Sequence, residues 1–452
     1  MRPALLGWLD RPPSGTALVD RRAGRSWTYA ELAADVLRRS AAIPSRRKSL
    51  VACLCHVDAR SAIAYLGAMA AGHAVMMLDG AADRGAIDRL LDLYQVEFLL
   101  DGDGCERLRS PDGPPVDDEL AVLLGTSGST GSPKYVRLSR HNVDANAAQI
   151  TQILEIDGDE RAVQALPLHY SYGLSVLNSH LLAGASVVFP GASIVRPQFW
   201  EAMRDNACTS LAGVPYTYAI LTRLGFEDAG LPDLRTLTQA GGRMEPDTVL
   251  RFGRHMTEQG GRLVVMYGQT EATARIAYVP PDRLLDKPDR VGVPVPRGHL
   301  SLADDGELLY EGPNVMLGYA RGRADLASGD VNRGRLGTGD LAGVDDEGFY
   351  SIVGRKRRIA KLGGRRVNLD ELEILLVTHG RVAALELSGR LVLVRAAGDA
   401  TTSGRELSQH VGELIRVPTR FIHVVGVDRL PMTGTGKIDY GALTDELATG
   451  HE

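Results

Sequence analysis

The 452-residue sequence predicts an α/β fold, with a large N-terminal domain of several subdomains and a small α+β C-terminal domain. The chain is longer than one compact core usually allows, so two or three domains are expected. Short apolar runs alternate with amphipathic stretches over most of its length, which is typical of alternating strands and helices. A strongly basic segment begins at Gly354, and the sequence after it has the pattern of a small α+β unit. We therefore predict domains at 1–354 and 355–452.

The elements of the larger domain can be predicted one by one from their apolar patterns. Amphipathic periodicity predicts helices over 29–43 and 61–71. Compact apolar runs predict buried strands at 74–78, 120–124, 185–189 and 263–266.

Helix-capping signals organise the smaller domain. Asn368 with Glu371 three residues later predicts a helix start, and Gly380 predicts its end. Ser403 and Glu406 repeat the capping pattern for a second helix. Strands are predicted at 391–394 and 421–425.

Composition and charge exclude several classes of protein. A net charge of −5 lacks the basic excess typical of nucleic-acid binding. No apolar stretch approaches the ~20 residues needed to cross a bilayer, and the N-terminus does not resemble a signal peptide. The cysteines have no zinc-site spacing, so we expect them to be reduced and mostly buried, and the protein to be cytoplasmic. They are Cys53, Cys55, Cys105 and Cys208.

A loop rich in small residues follows the predicted strand 120–124. Its glycines allow close backbone approach to an anion, its hydroxyls donate hydrogen bonds and its lysine adds positive charge. This composition suits a polyphosphate, although a flexible turn is the commonest use of such residues. The residues that would contact the phosphates are Thr126, Ser127, Gly128, Ser129, Thr130, Gly131 and Lys134.

The string from Thr126 to Lys134 closely resembles the phosphate loop of the adenylate-forming superfamily. This superfamily contains acyl-CoA synthetases, peptide-synthetase adenylation domains and beetle luciferases. Its second motif resembles Tyr267-Gly268-Gln269-Thr270-Glu271, which occurs in the expected order. The resemblance implies that Tyr267 and Gly268 border adenine, Thr270 contacts the α-phosphate and Glu271 holds Mg²⁺. A flat ring, a hydroxyl and a hard carboxylate suit these three tasks.

Further segments resemble the parts of this family that bind the nucleoside. Gly241-Gly242-Arg243 is similar to the glycine pair beside adenine. Asp340 resembles the aspartate that accepts hydrogen bonds from both ribose hydroxyls, and Arg355 the arginine that also reaches the ribose. Arg357 occupies the hinge position, where many members carry aspartate or lysine.

The segment that ends at Lys437 is similar to the C-terminal catalytic lysine loop of the family. The resemblance implies that the small domain is mobile: it closes for adenylation and then rotates to admit a pantetheine thiol. Lys437, Thr270 and Glu271 would be the catalytic residues.

The segment Leu166–Ser175 resembles the motif that lines the acyl pocket. His169, Tyr170, Ser171 and Gly213 would line it here. Ser171 stands where amino-acid-activating members carry an aspartate for the ammonium group. A serine cannot form that ion pair, which favours an acid without an α-ammonium group. Tyr172 could equally be a core residue.

The resemblance implies an ATP- and Mg²⁺-dependent ligase that forms acyl-AMP from a small acid and passes the acyl group to coenzyme A or phosphopantetheine. An acyl carrier protein would be the macromolecular partner, with a monomer or homodimer as the assembly. Transfer of the acid, or of an unusual oxyacid, to a non-thiol acceptor such as an amine remains open, as does a nucleotide-binding regulator. Two departures from the family, Tyr135 after the loop lysine and a compact region between Asp79 and Leu120, suggest a specialised member.

Overall fold

A computed structural model describes residues 5–10, 14–45, 47–110, 114–125, 134–362, 365–387, 389–396, 398, 402–415, 417–433 and 438–449. Contacts divide the described chain into a larger unit, 5–125, 134–300 and 310–336, and a smaller unit, 301–309 and 337–449. None of the helices in this described part is both long and apolar enough to cross a bilayer.

Helices and strands alternate along the chain, and the predicted α/β class is confirmed. The helices are α1 (Tyr29–Ala41), α2 (Ala59–Ala70), α3 (Arg84–Leu93), α4 (Arg140–Leu154), α5 (Ser171–Ala183), α6 (Pro197–Asp205), α7 (Pro215–Leu224), α8 (Pro246–Glu258), α9 (Leu369–Leu375), α10 (Gly404–Ile415) and α11 (Tyr440–Thr449). The first fifteen strands are β1 (Thr16–Asp20), β2 (Arg25–Thr28), β3 (Leu50–Cys55), β4 (Ala74–Asp79), β5 (Phe98–Asp101), β6 (Gly104–Arg107), β7 (Leu120–Gly125), β8 (Tyr135–Ser139), β9 (Arg161–Val163), β10 (Ser186–Phe189), β11 (Ser210–Gly213), β12 (Thr236–Gln239), β13 (Arg262–Tyr267), β14 (Ala277–Tyr278) and β15 (Val293–Pro294). The later strands are β16 (His299–Leu302), β17 (Glu307–Glu311), β18 (Gly318–Ala320), β19 (Arg335–Val344), β20 (Tyr350–Arg355), β21 (Ile359–Leu362), β22 (Arg365–Asn368), β23 (Val382–Leu387), β24 (Arg390–Ala396) and β25 (Ile422–Val427).

The larger unit contains two extended sheets. One has nine strands in the order β15-β14-β13-β12-β11-β9-β10-β1-β2, and the other has seven in the order β18-β8-β7-β4-β3-β5-β6. The neighbours from β1 through β13 in the first sheet run parallel, as do β3, β4, β5 and β7 in the second. Since parallel strands present their carboxyl ends at one edge, the loops that follow β9, β11, β12 and β13 lie at one edge of the nine-stranded sheet, where they are placed to form a site.

Side-chain caps fix where the helices begin. The Thr28 and Glu31 side chains cap α1 reciprocally, and the Asp58 side chain accepts a hydrogen bond from the backbone N–H of Ser61 at the start of α2. The cap at Asp58 explains why α2 begins at Ala59, two residues before the predicted start. Ser403 and Glu406 form the predicted reciprocal cap of α10.

Two buried arginines hold the segment around β18 in the larger unit. The Arg137 guanidinium donates to the backbone carbonyls of Leu317, Tyr319, Ser328 and Gly329. The Arg323 guanidinium donates to both carboxylate oxygens of Glu97, at 2.6 and 2.9 Å, and both side chains are about 3% exposed or less. Each buried guanidinium therefore has strong acceptors, as a buried charge requires.

The predicted cysteine state agrees with the structure. All four thiols are free; Cys53, Cys55 and Cys208 are buried, and Cys105 is partly exposed. Burial raises the pKa of the Cys208 thiol to about 12, so this side chain packs as an inert apolar group.

The smaller unit holds the sheet β23-β24-β25, the pair β21-β22 and most of the sheet β16-β17-β19-β20. A polar cluster ties its first and last segments together. The Glu373 carboxylate accepts hydrogen bonds from the Arg358 guanidinium and the Tyr440 hydroxyl, both at 2.7 Å, and from the backbone N–H of Ala384 at 2.6 Å. The Arg358 guanidinium also lies 3.8 Å from the centre of the Tyr440 ring. These contacts anchor the start of α11.

Candidate active site

The segment Leu166–Ser175, predicted to line the acyl pocket, and the segment Tyr267–Glu271 meet at the carboxyl edge of the nine-stranded sheet. Strand β13 ends at Tyr267 and leads into a 3₁₀ turn at Thr270–Ala272, while α5 begins at Ser171. The Ser171 and Thr270 hydroxyl oxygens are 3.2 Å apart and share a hydrogen bond. Two predicted site residues that are 99 positions apart in sequence are thus neighbours in space.

A line of three side chains connects the phosphate loop to the second motif. The Lys134 ammonium lies 4.0 Å from the centre of the Tyr319 ring, and the Tyr319 hydroxyl donates to Oε1 of Glu271 at 2.7 Å. All three side chains are partly buried. One tyrosine therefore holds a cation on its ring face and a carboxylate at its hydroxyl, which fixes two opposite charges near each other.

The sequence did not point to Tyr319. Its place in the site depends on the pairing of β18 with β8, in which Tyr319 is the partner of Val136, two residues after Lys134. No local motif encodes a pairing between segments that far apart. The tyrosine in a short strand, Gly318–Ala320, carried no signal of its own.

Gly241 and Tyr170 approach each other closely behind this edge. Gly241 has φ +85°, and a Cβ atom there would lie 2.5 Å from the Tyr170 hydroxyl. Glycine is therefore required both by the backbone conformation and by the space. Burial raises the pKa of Tyr170 to about 12, so its phenol is a neutral hydroxyl.

Gly242 and Arg243 follow as a turn after β12. The Gln239 side-chain amide donates to the Gly242 carbonyl at 2.8 Å, which fixes the turn, and Arg243 is exposed. Gly213 is the last residue of β11, and a Cβ atom there would meet Thr217 at 2.9 Å. The space at Gly268 is smaller still, because a Cβ atom there would lie 1.8 Å from the Ala274 carbonyl oxygen.

Tyr172 packs as a core residue behind the predicted pocket. Its hydroxyl lies 2.7 Å from the Thr238 hydroxyl and 3.0 Å from the Thr238 carbonyl, and its ring is 6.3 Å from the Tyr170 ring. The Arg275 guanidinium lies 3.8 Å from the centre of the Tyr172 ring. Sequence reasoning missed Arg275, because a single arginine beyond the Thr-Glu motif carries no pattern.

His169 lies beside the carboxyl end of β4. Its Nδ1 atom is 3.9 Å from Oδ1 of Asp79, and burial lowers the pKa of the imidazole despite that carboxylate. The ring is therefore predominantly neutral at pH 7. Its partner Asp79 was not among the predicted site residues.

Two predicted ribose contacts are adjacent in the smaller unit. Asp340 on β19 pairs with Arg355 on β20, and Nε of Arg355 is 3.4 Å from Oδ1 of Asp340. Arg355 is more than half exposed, so this ion pair adds little stability, and its side chain is accessible to a ligand.

The remaining predicted site residues lie outside the described part of the chain or, for Arg357, have only the backbone described. Thr126, Ser127, Gly128, Ser129, Thr130, Gly131 and Lys437 lie outside the described residues. Arg357 belongs to the 3₁₀ turn Lys356–Arg358 directly after β20, and only its backbone is described. Met432 and Ile438, which flank residues 434–437 in sequence, form an antiparallel bridge.

Comparisons with known proteins agree with this architecture. A family model described as "AMP-binding enzyme" matches residues 102–320. The feruloyl-CoA synthase of Amycolatopsis sp is 30% identical over 363 residues, which cover 74% of this chain and 71% of that protein. The non-ribosomal peptide synthetase CmlP of Streptomyces venezuelae is 30% identical over 99% of this chain, which spans 50% of CmlP.

Solved structures show the same fold over the whole chain. The o-succinylbenzoate CoA synthetase of Bacillus subtilis, in complex with its acyl-adenylate intermediate, superposes with a TM-score of 0.79 at 23% identity, covering 98% of both chains. Another structure of that enzyme contains ATP and a magnesium ion.

The fold, the site and these similarities define an AMP-forming ligase. The chain belongs to the AMP-binding enzyme family, the adenylate-forming superfamily that its phosphate-loop string resembles. The predictions of family, fold class and enzyme class are confirmed.

Proposed function

We propose that this ligase uses ATP and Mg²⁺ to convert a carboxylic acid into acyl-AMP and pyrophosphate. A carboxylate oxygen of the acid attacks the α-phosphorus, and the bond to the pyrophosphate oxygen breaks. A pantetheine thiol, of coenzyme A or of an acyl carrier protein, then attacks the acyl carbon and AMP leaves. We further propose that the protein works in the cytoplasm, as a monomer or a homodimer.

The contact line Lys134–Tyr319–Glu271 is the observation that carries this proposal. It joins the lysine of the phosphate loop to the glutamate of the second motif through one tyrosine. A polyphosphate and a divalent cation need positive and negative side-chain charges at neighbouring positions, and this arrangement supplies both.

The residues present fit a magnesium ion. The Glu271 carboxylate is a hard oxygen ligand, and the hydroxyl of Tyr319 occupies only one of its oxygens at 2.7 Å. Mg²⁺, when bound, would stabilise the negative charge that develops on the phosphate oxygens. Lys134 would add positive charge beside the β- and γ-phosphates, with donors from Thr126, Ser127, Gly128, Ser129, Thr130 and Gly131.

The Ser171–Thr270 pair supports a location for the reacting groups. Thr270 would donate a hydrogen bond to the α-phosphate. Ser171 would face the acid, and its side chain carries no negative charge. Because Ser171 cannot pair with an ammonium group, we propose an organic acid rather than an α-amino acid. His169, Tyr170 and Gly213 would complete the acid pocket.

The remaining roles are divided between the larger domain, proposed as 1–354, and the smaller domain, proposed as 355–452, which carries Arg355, Arg357 and Lys437. Asp340 and Arg355 would contact the ribose, and Tyr267, Gly268, Gly241, Gly242 and Arg243 would surround adenine. Lys437 would approach the carboxylate and the α-phosphate, where it offsets repulsion between two anions. Rotation about Arg357 would then admit the thiol.

Acid-dependent exchange of pyrophosphate into ATP, measured over a panel of carboxylic acids, tests the adenylation step. We expect Lys437→Ala to lower exchange about 10²–10³-fold, the usual effect of removing a preorganised charge-stabilising group. Glu271→Gln should also lower it, while Glu258→Gln, at an exposed position of α8, serves as the matched control. Absence of exchange with every acid would overturn the proposal and favour a nucleotide-binding regulator.

Product analysis with coenzyme A, with a phosphopantetheinylated carrier protein and with amines tests the acceptor. A thioester product is expected, and exchange that yields no thioester would favour the non-thiol acceptor. Arg357→Pro fixes φ and removes an N–H, so it should impair thioester formation while sparing exchange. An equal loss of both steps would contradict the hinge role of Arg357.

A further inference from the structure

A strained turn follows the segment that carries Thr270 and Glu271. Thr273 has φ +64° and ψ −51°, and the Ala274 N–H donates to the Ala272 carbonyl at 2.7 Å. Thr273 is therefore the central residue of a γ-turn with positive φ, which is a rare and strained conformation. A β-branched side chain makes it rarer still. Such strain persists only where the surrounding structure holds it in place.

Asn314 makes the contacts that hold this turn. Its side-chain amide donates to the Ala272 carbonyl at 2.9 Å and to the Arg275 carbonyl at 2.8 Å, so it bridges the two sides of the turn. The Thr273 hydroxyl donates to the backbone carbonyl of Asn314 at 2.7 Å. Asn314 is fully buried, and the Tyr310 hydroxyl donates to its side-chain oxygen at 2.7 Å, which orients the amide.

Short backbone contacts connect the strained turn to the two residues proposed to act on ATP. The Thr273 N–H donates to the Thr270 carbonyl at 2.9 Å, and the Met316 N–H donates to the Glu271 carbonyl at 2.9 Å. Met316 belongs to the segment that leads to Tyr319, whose hydroxyl contacts the Glu271 carboxylate. A different backbone conformation at Thr273 would therefore displace the backbone of both Thr270 and Glu271.

Stability alone favours a relaxed turn at this place. Glycine adopts φ +64° without strain, whereas threonine does so at a cost that the contacts of Asn314 offset. What the held turn supplies is a fixed direction for the Thr270 hydroxyl and the Glu271 carboxylate. Groups that are already oriented need no reorganisation when charge develops on a phosphate, and this lowers the barrier.

We propose that Asn314 is a positioning residue for adenylation. It holds the γ-turn at Thr273 so that Thr270 and Glu271 keep the orientation required at the α-phosphate and at Mg²⁺. This inference rests on the proposed adenylation function. Because Asn314 acts through the turn, its loss affects the chemical step and the binding of ATP with Mg²⁺ more than the binding of the acid.

The first test replaces only the two N–H donors of the amide. Asn314→Asp keeps the shape of the side chain and places an oxygen opposite the two carbonyls. We expect kcat of pyrophosphate exchange to fall about 10- to 100-fold. Affinity for ATP with Mg²⁺, measured by calorimetry without acid, should fall about tenfold, while KM for the acid changes less than about threefold. Asn206→Asp, which alters an amide that donates to the Ala202 carbonyl at the end of α6, is the matched control.

Three outcomes of this test are decisive against a role for Asn314. Wild-type kcat and nucleotide affinity in Asn314→Asp overturn the proposal and leave the adenylation function standing. An effect confined to the free energy of unfolding, measured in urea, assigns Asn314 to the core alone. Absence of exchange from the wild-type protein with every acid overturns both the proposal and the adenylation function.

Substitution of Thr273 separates the holding of the turn from general stability. Thr273→Gly alone should lower kcat about two- to fivefold, because it loses the hydroxyl contact to the Asn314 carbonyl. Added to Asn314→Asp, the same substitution should raise kcat about threefold or more, because glycine forms this turn without outside support. Two losses that simply add would contradict the proposal.

Tyr310→Phe decides the question where Asn314→Asp does not fold. It removes the hydrogen bond that orients the Asn314 amide and keeps the ring in the core. We expect kcat and the affinity for ATP with Mg²⁺ each to fall about threefold or more. Wild-type values of both in Tyr310→Phe would overturn the proposal.

Discussion

Replacing Tyr319 by phenylalanine removes one hydroxyl from the proposed magnesium site and leaves the aromatic ring in place. The hydroxyl donates to Oε1 of Glu271 at 2.7 Å, while the Lys134 ammonium rests on the ring face at 4.0 Å. Tyr319→Phe therefore loses the contact to the carboxylate and keeps the contact to the cation.

The expected magnitude follows from the kind of hydrogen bond. Bonds to a charged partner contribute about 1.5–3 kcal/mol, and the partial exposure of both side chains favours the lower value. A loss of about 1.5 kcal/mol corresponds to about a tenfold change. Tyr319→Leu also loses the cation–π contact, about 0.5–1 kcal/mol, and should add about a two- to fivefold effect.

The assay is pyrophosphate exchange as a function of Mg²⁺ concentration. We expect Tyr319→Phe to raise the half-saturating Mg²⁺ concentration about tenfold, because the Glu271 carboxylate, proposed to bind the ion, loses its orientation. Tyr278→Phe, on β14 of the same unit, is the control for loss of a phenolic hydroxyl. If both Tyr319 variants titrate like the wild type, the tyrosine does not position Glu271 for the metal, and the reasoning is refuted.

Two further predictions concern stability. Arg323→Met leaves the Glu97 carboxylate buried without its cation and should lower the free energy of unfolding by about 3–5 kcal/mol in urea titrations, with partial recovery when Glu97→Gln is added; an unchanged transition would contradict the buried ion pair. Burial lowers the pKa of His180 to about 4 from its ordinary value of 6.5. Between these two pH values the imidazole is protonated in the unfolded chain and neutral in the folded protein. This part of the stability is fully present above about pH 6.5 and is lost as the pH falls towards 4, by about 3 kcal/mol in total. Urea titrations at several pH values should show a shallower pH dependence for His180→Gln, and an identical dependence would exclude His180 as the cause.

Local signals in the sequence were sufficient for much of the fold. Apolar strand β7 and the capping pair Ser403 and Glu406 were predictable, because periodicity and capping act between near neighbours. Helix α1 ends at Ala41 and not at the predicted 43, since nothing in the local pattern sets the last turn.

Some of the site residues could likewise be predicted from local patterns, and others could not. Ser171 and Thr270 lie in recognisable strings, so their roles could be predicted and their proximity followed from the fold. Tyr319 and Arg275 could not be found, because one depends on the pairing of β18 with β8 and the other on a ring stacked from α5. Such contacts join segments far apart in sequence, which single-sequence patterns do not encode.

The hairpin of β7 and β8 has a consequence for how the phosphate loop can vary. Gly125 pairs directly with Tyr135, so the residues on either side of the segment 126–134 lie opposite each other in the sheet. Tyr135 is itself buried and meets the Tyr94 ring edge-on at 5.3 Å, in place of the glycine expected there. The pairing of β7 with β8 thus offsets the entropic cost of bringing the loop ends together, and the sequence of the loop itself need not do so. Selection can then rewrite these residues for a different nucleotide or a different turnover rate while the surrounding scaffold folds unchanged.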